Sequence, residues 1–130
     1  MQKIVILLVF FSTMVFSCSK KEENAPIFGK WKLIERLADP GDGSGVFEAV
    51  NSERTLEFLS NGTVVSNGDI CSLTLETGEG SEAEYDAETK KIINTNCQAD
   101  REITYGLEGE YLTVSLLCIE PCALKYRKVN

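Results

Sequence analysis

Histidine is absent from this 130-residue chain, tryptophan occurs once and proline three times. Without an imidazole, a serine or cysteine nucleophile has no usual general base, and neither a catalytic zinc nor a copper site beside paired cysteines can be completed. Conventional hydrolase chemistry is excluded on that ground; an enzyme is not expected, nor is a cofactor or a metal. Basic residues are also few, 13 against 20 acidic ones, for a net charge of −7. They are scattered or set beside glutamates, whereas neutralising phosphates takes clustered lysine and arginine, so nucleic acid is excluded as a partner. The chain has no long apolar run: Ile4 to Phe11 breaks at Ser12-Thr13, short of the roughly twenty residues a spanning helix needs. No window holds apolar residues at helical spacing.

The first residues carry a different signal. Met1-Gln2-Lys3 is a short positive start, Ile4 to Phe11 is the apolar stretch, and Val15-Phe16-Ser17-Cys18 ends it with a small residue before a thiol. This arrangement resembles the signal peptide and lipobox of a bacterial lipoprotein, with Val15 and Phe16 where leucine and alanine are usual. It implies a leader over residues 1–17 and lipidation of Cys18 by diacylglyceryl and N-acyl groups of the palmitate type. Removing Lys3 with the leader leaves 113 residues and a net charge of −8. So acidic a body is repelled by anionic head groups within a Debye length of about 8 Å, and attachment must come from the acyl chains. Residues 18–27 read as the lipidated cysteine and a flexible linker, since Ser19 to Pro26 has no apolar periodicity. Its Lys-Lys-Glu-Glu run is similar to the surface-export tag of some Gram-negative lipoproteins; a generic solvated spacer is the competing reading. The expected location is the outer membrane, lipid-anchored, with exposure at the cell surface left open.

Residues 28–130 form one domain's worth of chain with a β pattern. Trp31, Leu33 and Glu35 alternate with Lys32, Ile34 and Arg36 in a strand that fades before Asp39-Pro40-Gly41. Thr55 to Leu59 and Thr63 to Ser66 flank Asn61-Gly62, the dipeptide of a two-residue type I′ hairpin. Further strands are expected at Cys71 to Leu75, Ala83 to Tyr85, Lys91 to Asn96, Glu102 to Leu107, Glu110 to Leu117 and Ala123 to Val129. Glu108-Gly109 marks another tight hairpin, and Asp86 to Lys90 a loop. The expected fold is all-β, a small antiparallel up-and-down barrel of about eight strands. A barrel of that size has room inside for side chains or one small ligand.

Gly29-Lys30-Trp31 at the start of the first strand is similar to the Gly-x-Trp of lipocalins, with Arg127 placed where those proteins set a basic residue across the tryptophan ring. The Asp39-Pro-Gly-Asp-Gly-Ser-Gly45 loop with Val46-Phe47, and Cys118-Ile-Glu-Pro-Cys122 ahead of Lys125-Tyr126-Arg127, resemble lipocalin-like lipoproteins of one Gram-negative phylum. The resemblance covers Phe28 to Asn130. It implies that Gly29, Trp31 and Arg127 are structural, Trp31 plugging one end of the barrel with Arg127 stacked on it for roughly 0.5–2 kcal/mol. Over this stretch the chain is shorter than classical lipocalins, and their C-terminal helix is not expected in it.

Five cysteines divide into one lipid carrier and four partners. Cys71, Cys97, Cys118 and Cys122 allow three connectivities. The favoured one joins Cys71 to Cys97 and Cys118 to Cys122, the latter ringing Ile119-Glu120-Pro121; disulfides suit an exported domain this small. The acidic residues Glu76, Glu79, Glu82, Glu84, Asp86 and Glu88, with glycines between them, read as a solvated loop. Asp39, Asp42 and Ser44 lie on a glycine-rich loop that lacks EF-hand spacing and reads as a rim flap rather than a calcium site.

Two functions remain. In one, the barrel mouth takes a small apolar or amphipathic molecule, with Phe47, Phe58, Tyr85, Tyr105 and Tyr111 as wall or rim residues. In the other the interior is filled and an outer surface docks a protein of the envelope. In both, the lipid bilayer is a partner through acylated Cys18.

Overall fold

The computed structural model describes residues 26–93, 96–97 and 102–130. Cys18 and the leader and linker expected from the sequence, up to residue 25, lie outside the described residues. No helix occurs among those described. Nine strands form one sheet: β1 (Gly29–Ala38), β2 (Phe47–Ala49), β3 (Thr55–Phe58), β4 (Thr63–Ser66), β5 (Ser81–Asp86), β6 (Lys91–Ile93), β7 (Ile103–Glu108), β8 (Tyr111–Leu116) and β9 (Cys122–Lys128).

From β3 onward each strand pairs antiparallel with the next in the chain, and β9 returns to β1 through Trp31↔Lys128 to Ala38↔Cys122. Eight strands therefore close an up-and-down barrel. The ninth, β2, shares one edge of β1 with β3: Gly29–Lys32 pairs with β3, and Glu35–Leu37 with β2. Two backbone bonds bridge the gap between them, from Leu33 N–H to the Arg54 carbonyl (3.0 Å) and from Val50 N–H to the Ile34 carbonyl (2.9 Å).

Period-two patterning explains which residues fill the interior. Leu56 and Phe58 on β3, Val64 and Ser66 on β4, Leu112, Val114 and Leu116 on β8, and Leu124 and Tyr126 on β9 are buried, with half-exposed residues alternating between them. Burying each large apolar side chain contributes roughly 1.5–3 kcal/mol, and interleaving them from all sides leaves the barrel axis occupied. Phe58, Tyr85 and Tyr105 meet edge to face, with centroids 5.0 to 6.5 Å apart.

Four sequence expectations change here. β1 does not alternate evenly, because a bulge at Ile34 shifts its register against β9. Beyond it Arg36, not Glu35, lies opposite the buried Leu124, on the inner side of the wall. The Asn61-Gly62 hairpin is not a type I′ turn, which needs positive φ at both residues. Only Gly62 has it (φ 87°), and the Gly62 N–H to Leu59 carbonyl bond (3.3 Å) defines a three-residue loop with a glycine bulge. Glu108-Gly109 does turn tightly, with Gly109 (φ 58°) first in a two-residue loop. Cys71–Leu75 is no strand; it belongs to the 67–80 connection between β4 and β5. Phe47–Ala49, not foreseen, is one.

Candidate functional site

The two ends of the barrel are built differently. At the end where the chain enters, Ile27 is buried and its carbonyl accepts the Trp31 indole N–H at 2.8 Å. Lys128 donates to the Pro26 carbonyl (2.6 Å) and holds its ammonium 5.2 Å from the centre of the Trp31 ring. Trp31 is thus fully buried as a plug, with Lys128 in the place expected for Arg127. The register gives the reason: Lys128 is the direct cross-strand partner of Trp31, whereas Arg127, one residue away, turns to the outer face. Arg127 lies 5.3 Å from the Tyr111 ring centre and donates to the Tyr111 hydroxyl at 3.0 Å. Gly29 takes φ 111°, a left-handed value that favours glycine, and a Cβ there would sit 3.5 Å from Lys128 Cε.

At the opposite end the 67–80 segment folds over the barrel and is held from within by Arg54. The Arg54 guanidinium is 1 % exposed and has no carboxylate partner among the hydrogen bonds described. It donates to the Ser72 carbonyl at 3.0 Å and to the carbonyls of Thr74 and Asp69. Its Nε finds no partner. Ser52 donates to the Leu75 carbonyl, and Ser81 to the Gly68 carbonyl at 2.7 Å. The Cys71–Cys97 disulfide, Cα atoms 5.5 Å apart, ties the same segment to the β6–β7 connection. Nothing in local composition flags Arg54, yet its phase does: it directly precedes β3, in step with Leu56 and Phe58, whose side faces in. Close by, burial pushes the Tyr126 hydroxyl up to about 12, against an opposing effect of the Arg54 cation.

The five aromatic candidates separate. Phe58, Tyr85 and Tyr105 come together as interior packing, and both tyrosine hydroxyls are spent on backbone, donating to the carbonyls of Leu59 (2.7 Å) and Asp86 (3.2 Å). Phe47 and Tyr111 are outside, each beneath a cation. Lys125 sits 4.0 Å from the Phe47 ring centre while bonding Glu35 at 2.6 Å, which straps β2 to β9 across β1. The structure does not bring the five together around one cup.

The second disulfide, Cys118–Cys122, rings the β8–β9 connection, with Cα atoms 6.1 Å apart. Between this ring and Ala38-Asp39 runs an open groove of about 430 Å³, bordered by Leu117, Ile119 and Pro121. Ile119 is wholly exposed, and Leu117 and Val46 nearly two-thirds so. The adjoining glycine loop is wrapped about Asp39 rather than loose. That carboxylate accepts the N–H groups of Gly41 (2.7 Å), Gly43 (3.1 Å) and Gly45 (2.8 Å), which hold its pKa below the ordinary range. A Cβ on Gly45 would lie 2.8 Å from Asp39 Cβ, so only glycine fits.

The acidic run spreads over β5 and its turns. Glu82 and Glu84 point outward beside the buried Ala83, and Asp86 accepts the N–H groups of Glu88 and Thr89. Among the described residues no three acidic or cysteine side chains gather in a way that could hold a metal ion.

In comparisons with known proteins, no family model, no curated protein and no solved structure matches this chain.

Proposed function

We propose that the chain is a lipid-anchored envelope lipoprotein of lipocalin-like type that binds at the rim of its barrel and transforms nothing. The supporting observation is the filled interior: Trp31, Arg54, Phe58 and Tyr126 point inward and each is at most 1 % exposed. A filled barrel leaves recognition to its surface, and the rim supplies Val46, Leu117 and the fully exposed Ile119 on a loop braced by Cys118–Cys122. This favours a protein partner of the envelope. The second reading, a small apolar or amphipathic ligand, is supported by the groove beside the ring, whose volume falls in the range of small-molecule sites.

Native mass spectrometry of the full chain extracted from its own membrane, beside its Ile119→Asp variant, tests both readings. A protein mass carried by the wild type and lost in the variant supports the first, and a small-molecule mass lost in the same way supports the second. Identical spectra from the two chains would overturn binding at the rim. The same spectra report the mass at Cys18, where absence of fatty acid would overturn the anchor.

A further inference from the structure

The negative charge of the domain gathers at the rim. Three connections lie at that end, 39–46, 67–80 and 117–121, and they contain Asp39, Asp42, Asp69, Glu76, Glu79 and Glu120 with no lysine or arginine. The connection 94–102 adds Asp100, Arg101 and Glu102 in sequence, and Glu102 is paired with Lys91 at 3.2 Å. At the entry end the signs are mixed: the connections 59–62, 87–90 and 109–110 hold Glu88 and Glu110 with Lys90, and Lys30 and Lys128 stand on the adjoining strands.

Two of the rim carboxylates, Asp39 and Glu120, line the apolar groove. The Asp39 N–H donates to the Pro121 carbonyl at 3.2 Å, which joins the glycine loop to the Cys118–Cys122 ring. Glu120 lies against the same loop, since a Cβ on Gly41 would sit 3.1 Å from its Oε1, and the exposed Asp42 follows Gly41 directly. Beside these acids Ile119 is wholly exposed and Leu117 nearly two-thirds so. Of the cations on the adjoining strands, Arg36 lies across from Glu48, and Lys125 is bonded to Glu35 at 2.6 Å; Arg54, ahead of β3, is buried. The groove is thus an apolar surface set in uncompensated negative charge.

We infer that the rim, read above as a binding surface, takes a basic and apolar segment of a partner protein. An apolar side chain of the partner enters the groove against Leu117 and Ile119, and lysine or arginine next to it in the partner's chain faces Asp42 and Glu120. Apolar burial supplies the affinity, and charge selects the partner. Asp39 takes little part, because its oxygens already accept three N–H groups of its own loop. A second copy presenting the same rim, or an anionic lipid surface, would bring like charges together, and both are disfavoured on that account.

Fluorescence anisotropy of the full chain with three short labelled peptides tests this: one alternates lysine with leucine, one glutamate with leucine, and one lysine with serine. The lysine–leucine peptide is expected to bind about tenfold more tightly than either of the others, and to weaken at least about fivefold in high salt. Ile119→Ser should weaken it about tenfold, and Asp42→Asn/Glu120→Gln about fivefold. Glu108→Gln/Glu110→Gln removes the same charge from the entry end and should leave binding within about twofold. Equal binding of the three peptides, or equal weakening by the two double variants, would overturn the inference. Native mass spectra of the chains extracted from their own membrane separate this failure from that of the rim reading. A partner mass lost in Ile119→Asp but kept in Asp42→Asn/Glu120→Gln leaves binding at the rim standing and removes the basic partner, whereas spectra unchanged in both variants remove the two together.

Discussion

Arg54 holds the carbonyl of Ser72 at 3.0 Å from inside the barrel, so the segment that covers one end is fastened by a buried cation rather than by strand pairing. Removing the guanidinium takes their described donor from the carbonyls of Ser72 and Thr74, each a loss of about 1–3 kcal/mol, and leaves Asp69 with only the Ser72 N–H and hydroxyl at 3.3 Å. Arg54→Met fills much of the volume and supplies no donor. It is expected to lower the unfolding free energy by about 3–5 kcal/mol in urea titration and to speed hydrogen exchange across 67–80 first. A loss within about 0.5 kcal/mol would show that the fastening contributes nothing.

The two disulfides are expected to differ in worth. Cys71–Cys97 closes a loop with a sequence separation of 26, and chain entropy assigns it about 3–4 kcal/mol. Cys118–Cys122, with a separation of 4, constrains the unfolded chain less, by about 2 kcal/mol on the same relation. Thermal unfolding of Cys71→Ser/Cys97→Ser and Cys118→Ser/Cys122→Ser should rank in that order. The reverse order would place the greater role at the rim ring.

Alkaline stability should report on Tyr126. Its folded pKa is raised to about 12 by burial, above an unfolded value of about 10. Between those values the folded chain keeps a proton the unfolded chain has released, so stability is complete below about pH 10 and falls as pH rises toward 12, by about 2–3 kcal/mol. Burial raises Tyr85 and Tyr105 in the same direction, adding to the slope. Urea midpoints measured across this range should fall less steeply in Tyr126→Phe than in the wild type; equal slopes would refute the assignment.

Lys128 and Arg127 are adjacent and both cationic, yet only Lys128 reaches the plug. Lys128→Ala removes the contact with Trp31 and the bond to Pro26, for an expected loss of about 1–2 kcal/mol. Arg127→Ala, whose partner Tyr111 is exposed, should stay within about 0.5 kcal/mol. Chemical denaturation of the two variants checks the difference, and a larger loss at Arg127 would return the capping role to it.

Much of this architecture was legible because inward and outward residues alternate cleanly on β3, β4 and β8 and because glycines mark the turns. What escaped was set by partners remote in the chain. The bulge at Ile34 reverses the alternation of β1, a local slip with no composition of its own. Cys71, Leu73 and Leu75 carry a genuine period of two and pack against the core, yet their segment has no neighbouring strand among the described residues, and Arg54 takes the carbonyls of Ser72 and Thr74. β2 is only three residues long and owes its place to the free edge of β1 and the strap from Lys125. At the candidate site the cysteine pairing was one of three open to the sequence, and the favoured one is the one found; the burial of Trp31 is as the resemblance implied. The sorting of the aromatics into interior and exterior depended on register, and so did the exchange of Arg127 for Lys128.

The β1–β9 seam also dictates timing. Trp31 meets Lys128 across nearly the whole length of the domain, so no partial chain can complete the ring, and closure must await the final dozen residues. Such non-local pairing folds slowly. A nascent polypeptide of this topology stays open until its last strand emerges, and the barrel locks only once β9 is available to zip onto β1.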